Sequence, residues 1–128
     1  MAFEAAGQSA GRLVLDAHPD FGGVGAGVSP VEALLASAAA CSGIDVLSIL
    51  EKKRQTVTSY RIEVDGEQPA PGTWPRKFSS ITLRHVLKGP NLDPVAVARA
   101  VELSDAKYCT VVATLRAAPT VVSEWRIE

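Results

Sequence analysis

The sequence has little that would suit a charged macromolecule or a metal cluster. Its 13 basic and 14 acidic side chains leave a net charge of −1, whereas nucleic acids and anionic membranes attract proteins with a basic surplus. It contains only two cysteines and two histidines, with no CxxC or HxxxH spacing, which argues against a structural zinc site. We therefore expect no nucleic-acid partner, no membrane partner and no metal.

A long uncharged run is also missing. The most apolar stretch, VEALLASAAACSGIDVLSIL, is free of charge only from Ala33 to Ile44, whereas a membrane span needs roughly 20 such residues. Its flanking carboxylates, Glu32 and Asp45, would be costly at membrane depth. The first residues, MAFEAAGQSAGR, lack the basic start and the apolar run of a signal peptide. We therefore expect a cytoplasmic protein, where a cysteine pair is more often catalytic or redox-active than structural.

The length and the composition, with 47% apolar and 21% charged residues, predict one globular domain over residues 1–128. Strands and helices that are mixed without regular βαβ alternation predict the α+β class. The clearest element is a helix that begins with Ser29 as N-cap, Pro30 at the first helical position and Glu32 in a capping box. It should end at about Lys53. Because it is apolar nearly all round, we expect a central helix wrapped by antiparallel sheet.

The other elements are read from alternation, turns and caps. The glycines at 22, 23, 25 and 27 lie in a loop without a dinucleotide or P-loop pattern, so we expect a flexible connection there rather than a phosphate cradle. The remaining predictions are strands at 11–16, 56–66, 78–88 and 120–128, a helix after Asp93, and a third helix capped by Ser104.

The two cysteines are the candidate chemical groups. Cys41 lies in the middle of the long helix, and Cys109 lies about one turn into the predicted third helix, where backbone amides can stabilise a thiolate. A thiolate reduces peroxides, and the resulting sulfenic acid is protected if a second thiol condenses with it. The alternative is that both are inert core cysteines, because free cysteine is among the most buried residue types.

Two long segments resemble the OsmC/Ohr family of thiol peroxidases. SPVEALLASAAACSGIDVLSILEKKR is similar to that family's central helix, and VARAVELSDAKYCTVVATL is similar to its second-cysteine segment. The strand FSSITLRHVLKG lies between them, so the resemblance covers about residues 22–116. The form CSGIDVLSIL most resembles the branch of the family that includes YhfA.

The resemblance implies an OsmC-like fold, an intertwined homodimer and a role in oxidative-stress defence. By position, Cys41 would be the peroxidatic cysteine, oxidised to sulfenic acid by a hydroperoxide that is usually organic. Cys109 would then resolve it as a disulfide, which a thiol or a lipoyl-type dithiol reductant reopens. The family's chemistry implies no metal, haem or flavin cofactor.

The sequence departs from the Ohr pattern near the helix start. Ohr-type enzymes carry glutamate directly after the helix-start proline, whereas this chain has Val31 there and its acid at Glu32. Their activating arginine lies in the N-terminal region, where Arg12 is the candidate here and a surface position is the alternative. The N-terminus is also expected to lack one strand of the family.

Two further hypotheses remain open. The first is a non-enzymatic OsmC-fold redox sensor or small apolar-ligand binding protein, which Val31 favours. The second is a structural protein, in which Cys41 and Cys109 would lie too far apart to bridge. Asp45 follows Cys41 by one turn on the same face, and we expect it mainly to be a buried hydrogen-bonding or interface residue.

Overall fold

The computed structural model describes residues 1–126, and these fall into two compact units. One unit comprises residues 1–40 and 62–86, and the other comprises residues 41–61 and those from Leu87 onward. The elements, in chain order, are β1 (Ala2–Ala6), β2 (Arg12–Asp16), α1 (Pro30–Lys52), β3 (Ser59–Glu67), β4 (Ser80–Lys88), α2 (Pro94–Leu103) and α3 (Thr110–Ala117). Mixed helices and small antiparallel sheets confirm the α+β prediction.

Two of the three helix starts that the sequence predicted are confirmed by their capping bonds. The amide of Ser29 donates to the Glu32 carboxylate at 2.8 Å, and the amide of Glu32 donates to the Ser29 hydroxyl at 3.2 Å. At the start of α2, the Val95 amide donates to the Asp93 carboxylate at 2.9 Å. A proline follows each cap, where its missing N–H costs nothing.

The first unit begins with an antiparallel hairpin of β1 and β2, in which Ala2 lies opposite Asp16. The strand β2 was predicted, but β1 was missed. Three of the five β1 residues are alanine and all five are exposed, so β1 shows neither high strand propensity nor a buried face. Its pairing with β2 is what makes it a strand.

Asp16 organises the glycine-rich loop that follows this hairpin. Its carboxylate is buried and accepts the amides of Val24 and Ala26 at 2.8 and 3.0 Å. These bonds hold the pKa of the Asp16 carboxyl well below its usual range. The segment is a connection, as predicted, but Asp16 holds it in place and takes up amides that a phosphate cradle would need.

Two of the loop's glycines, Gly23 and Gly27, lie where neighbouring backbone leaves no room for a side chain. A Cβ at Gly23 would overlap the carbonyl of Ala17, and a Cβ at Gly27 would overlap the carbonyl of Val14. These glycines therefore permit close backbone packing.

The core of the second unit lies between the second half of α1 and one face of α2. Val46 and Leu50 are fully buried against Ala96 and Ala100. The partly buried residues packed around them are Ile49, Val57, Tyr60, Leu87, Val97 and Val101. Alanine on α2 lets the two helices approach closely, so the small residues serve packing.

By length and composition alone, α1 could also cross a membrane. The core helix of a soluble protein passes the same test.

The strands β3 and β4 form the second sheet. The Thr58 amide donates to the Lys88 carbonyl at 2.8 Å, and the Ser79 amide donates to the Glu67 carbonyl at 2.9 Å. Since the partner's number falls as the number along β3 rises, the strands are antiparallel. Both strands were predicted, with β3 beginning three residues later than expected.

Two predictions near the C-terminus are wrong in part. Ser104 does not cap a third helix; it opens a π-helical segment, Ser104–Tyr108, closed by a bond from the Cys109 amide to the Ser104 carbonyl at 2.9 Å. Residues 120–126 form no strand, because alternation alone does not supply a pairing partner. The rest of that predicted strand, 127–128, lies outside the described residues.

Candidate active site

The second unit brings together side chains from α1 and from the segment that joins α2 to α3. The two cysteine Sγ atoms and a carboxylate oxygen of Asp45 all lie within 4.8 Å of one another. Cys41 and Asp45 are one turn apart on α1, whereas Cys109 precedes the first residue of α3. The fold therefore joins two cysteines that are 68 positions apart in the sequence.

The two cysteines differ in their access to solvent. Cys41 is half-buried, whereas Cys109 is only 2% exposed. Cys109 occupies the N-cap position of α3 instead of a position one turn inside it, and its side chain makes no capping hydrogen bond. The prediction for Cys109 was wrong by about one turn, because the π-helical segment precedes α3 and the helix therefore begins only at Thr110.

The Cys109 thiol is held mainly in its neutral form. Burial raises the pKa of this thiol above its ordinary value, and the neighbouring Cys41 acts in the same direction. The amides of Val112 and Val111 partly offset this effect by favouring the thiolate.

The ammonium of Lys107 lies 5.3 Å from the centre of the Tyr108 ring, where it makes a cation–π contact.

Two buried serines support Asp45, and neither was predicted as a site residue from the sequence. The Ser104 Oγ lies 3.1 Å from an Asp45 carboxylate oxygen and 3.0 Å from the Ser42 Oγ. An ionised carboxylate only accepts hydrogen bonds, so Ser104 donates to Asp45 and Ser42 donates to Ser104. Asp45 is thus a hydrogen-bonding residue, as expected, but it is half-buried instead of buried, with one oxygen held by a two-hydroxyl relay.

The sequence only weakly indicates that Ser42 and Ser104 belong to the site. Ser42 directly follows Cys41, and Ser104 precedes Cys109 by five residues, but serine is common at helix ends. The local sequence around Ser104 is typical of a helix cap. Its actual partners lie on α1, 59 and 62 residues earlier in the chain, and no local pattern indicates them.

We expect Ser104→Ala to destabilise the protein by about 1–3 kcal/mol, because it leaves a carboxylate oxygen and the Ser42 hydroxyl without a buried partner. Urea unfolding measures the loss. Ser37→Ala is the matched control, since that exposed hydroxyl only bonds its own helix at Ala33, and it should change stability by less than about 0.5 kcal/mol. Equal effects from the two substitutions would contradict the relay.

A cleft of about 360 Å³ reaches the cluster at Asp45. Its walls include the apolar side chains of Ile49 and Leu103, and two lysines, Lys52 and Lys53, border it as well. The other lining residues are Ser48 and Tyr108. A small molecule with an apolar body can therefore approach Asp45 through this cleft.

The other two predicted site residues belong to the first unit. Arg12 is exposed and its guanidinium pairs with Glu4 at 2.7 Å. Glu32 is engaged in the capping box, where the amide and then the hydroxyl of Ser29 lower the pKa of its carboxyl. The capping interpretation of Glu32 is confirmed, and a catalytic role for Arg12 or Glu32 stays a prediction.

Comparison with known proteins decides the family. Residues 23–124 match the family model described as OsmC-like protein. The chain belongs to the OsmC-like family. Protein YhfA of Escherichia coli K12 is 39% identical over 99 residues, which cover 77% of this chain and 72% of YhfA.

Two solved structures have the same fold. A hypothetical protein from Aquifex aeolicus is 30% identical, with a TM-score of 0.68 over 92% of this chain and 87% of its own. An OsmC-like protein of unknown function from Vibrio cholerae is 21% identical, with a TM-score of 0.70 over 88% of this chain and 77% of its own.

A third solved structure is that of a protein described by its function. This organic hydroperoxide resistance protein OsmC from Legionella pneumophila is 16% identical, with a TM-score of 0.62 over 91% of this chain and 88% of its own. That protein is also described as a predicted redox protein. At such identity the likeness shows the fold alone. Family membership is nevertheless consistent with a redox role in oxidative stress.

Proposed function

We propose that this protein is a two-cysteine thiol peroxidase that reduces organic hydroperoxides in the cytoplasm. The observation that carries the proposal is the closeness of the two sulfur atoms, each within 4.8 Å of the other. Forming a disulfide requires an S–S distance of about 2.05 Å, so the thiols must close part of this gap by side-chain rotation. A purely structural protein has no need of such a pair.

The difference in exposure supports the order of the steps. The half-buried Cys41 thiolate attacks the terminal oxygen of the hydroperoxide, the O–O bond breaks, and Cys41 becomes a sulfenic acid. The departing alkoxide takes a proton to form an alcohol. The buried Cys109 thiolate then attacks that sulfur and releases hydroxide, which takes a proton to form water. An external dithiol, such as a lipoyl group, supplies the two electrons that reopen the disulfide, with no metal, haem or flavin.

We also propose that two copies form the functional unit. Several large apolar side chains remain exposed in a single chain, among them Phe3 at 74%, Ile44 at 70% and Trp125 at 84%. Exposed apolar surface of this kind marks interaction sites. Light scattering should give twice the chain mass of 13.5 kDa; a monomer at micromolar concentration would contradict the dimer.

A redox sensor is the second candidate, because Val31 replaces the Ohr glutamate and Glu32 is committed to Ser29. Steady-state loss of cumene hydroperoxide in the presence of excess dihydrolipoamide separates the two. The peroxidase should consume many equivalents of peroxide per chain at a constant rate. A single stoichiometric oxidation that stops would reject the enzyme and leave the sensor.

A further inference from the structure

The Cys41–Asp45–Cys109 cluster offers a second kind of chemistry besides thiol oxidation. Its three donor atoms are two sulfurs and one carboxylate oxygen, all within 4.8 Å of one another. We propose that the reduced protein binds one Zn²⁺ through these three residues. Sequence spacing cannot reveal such a site, since Cys109 is supplied from a distant segment.

The donor set selects the metal. Thiolates are soft ligands that favour zinc over magnesium or calcium, and a carboxylate is a common third ligand for zinc. Zinc–sulfur bonds of about 2.3 Å and zinc–oxygen bonds of about 2.0–2.2 Å place tetrahedral donors about 3.5–3.8 Å apart. The observed separations exceed these values by no more than about 1.3 Å, a gap that side-chain rotation can close.

The hydrogen bonds around Asp45 suit its carboxylate to bind a metal ion. Ser104 donates a hydrogen bond to one of its carboxylate oxygens at 3.1 Å, and Ser42 supports Ser104 in turn. Outer hydrogen bonds of this kind fix the orientation of a metal-binding carboxylate and are a regular part of zinc sites. The relay restrains the carboxylate through one oxygen, and a carboxylate has further lone pairs with which to bind a metal.

Charge also favours a cation at this position. With both thiols ionised, the three side chains would carry a charge of −3, and within residues 1–126 Asp45 forms no ion pair. Three anionic groups at this separation repel one another, so the −3 state requires a cation between them, and a zinc ion that binds would displace the thiol protons. Zinc would reduce the total to −1 and leave a fourth position for water, because only three protein donors converge.

Zinc binding and disulfide formation exclude each other, because both use the same sulfur atoms. The reduced protein therefore binds the ion, and a chain with a Cys41–Cys109 disulfide does not. Bound zinc should also shield both thiols from alkylation. These consequences do not depend on the peroxidase activity, so they can succeed or fail independently of it.

The test is a titration of the reduced full-length protein with Zn²⁺ against a chromophoric chelator, followed by Co²⁺ as a spectroscopic substitute. We expect one Zn²⁺ per chain and, for Co²⁺, thiolate-to-cobalt charge-transfer bands with the d–d absorption of a tetrahedral site. Iodoacetamide should alkylate the zinc-loaded chain at least about tenfold more slowly than the metal-free chain. These readings on the unaltered protein stand whether or not any variant folds.

Variants then assign the ligands. Cys41→Ser and Cys109→Ser should each weaken Zn²⁺ binding by more than about 100-fold, and Asp45→Asn by about 10–100-fold. Asp20→Asn is the matched control, because that carboxylate is exposed and lies outside the cluster; it should bind like the parent. Less than one Zn²⁺ per chain, unchanged affinity in Asp45→Asn, or equal binding by the disulfide form would each overturn the proposal.

Discussion

Cys41→Ser is expected to abolish hydroperoxide turnover, with a loss of at least about 1,000-fold, because a serine hydroxyl cannot replace the thiolate that accepts oxygen. Cys41 is the more accessible of the two sulfurs, which is why the attack on peroxide is assigned to it. The rate of cumene hydroperoxide loss with a dithiol reductant measures the effect.

Cys109→Ser is the informative comparison for this prediction. It keeps the attacking sulfur but removes the group that closes the disulfide, so the Cys41 sulfenic acid should persist and then over-oxidise. Intact-mass measurements should show one added oxygen atom, followed by two and three as peroxide increases. If Cys109→Ser lost all reactivity while Cys41→Ser kept it, the two roles would have to be exchanged.

The rate of disulfide closure is expected to rise about tenfold for each pH unit between about pH 6 and about pH 8, a total of about 100-fold. Burial raises the pKa of the Cys109 thiol above its ordinary value of 9.0, and this cause does not depend on the Cys41 thiol that the peroxide has oxidised. Only the thiolate attacks the sulfenic acid, so throughout this range the reactive fraction is small and grows with pH.

Rapid-quench alkylation after one equivalent of hydroperoxide measures this closure directly. The Cys109→Ser variant is the control, since it can form the sulfenic acid but cannot close it. A closure rate that is independent of pH, or that falls as the pH rises, would mean that Cys109 is already ionised near neutrality, in conflict with its buried position.

The parts of the fold that the sequence predicted are those set by local chemistry. The starts of α1 and α2 follow from a capping side chain and a proline, Ser29 with Pro30 and Asp93 with Pro94, and short-range bonds determine both. The strand β4 follows from alternation, which is also a local pattern. Family resemblance then supplied the pairing of the two cysteines, which no spacing rule gives.

The parts that were missed depend on long-range partners. The strand β1 exists through its pairing with β2, and the segment 120–126 alternates but forms no ladder. Ser104 has the identity of a helix cap, yet its hydroxyl bonds Asp45 and Ser42 on a helix some 60 residues earlier in the chain. A contact of this kind is created by the packing of α1 against the α2–α3 segment.

The most direct test of the account is a count of free thiols after the reduced protein meets one equivalent of cumene hydroperoxide, with the product mapped by mass spectrometry. The account predicts that both thiols disappear together and that a peptide pair joined through Cys41 and Cys109 is recovered from a single chain. Two intact thiols, or an oxidised Cys41 beside a Cys109 that stays free, would contradict it.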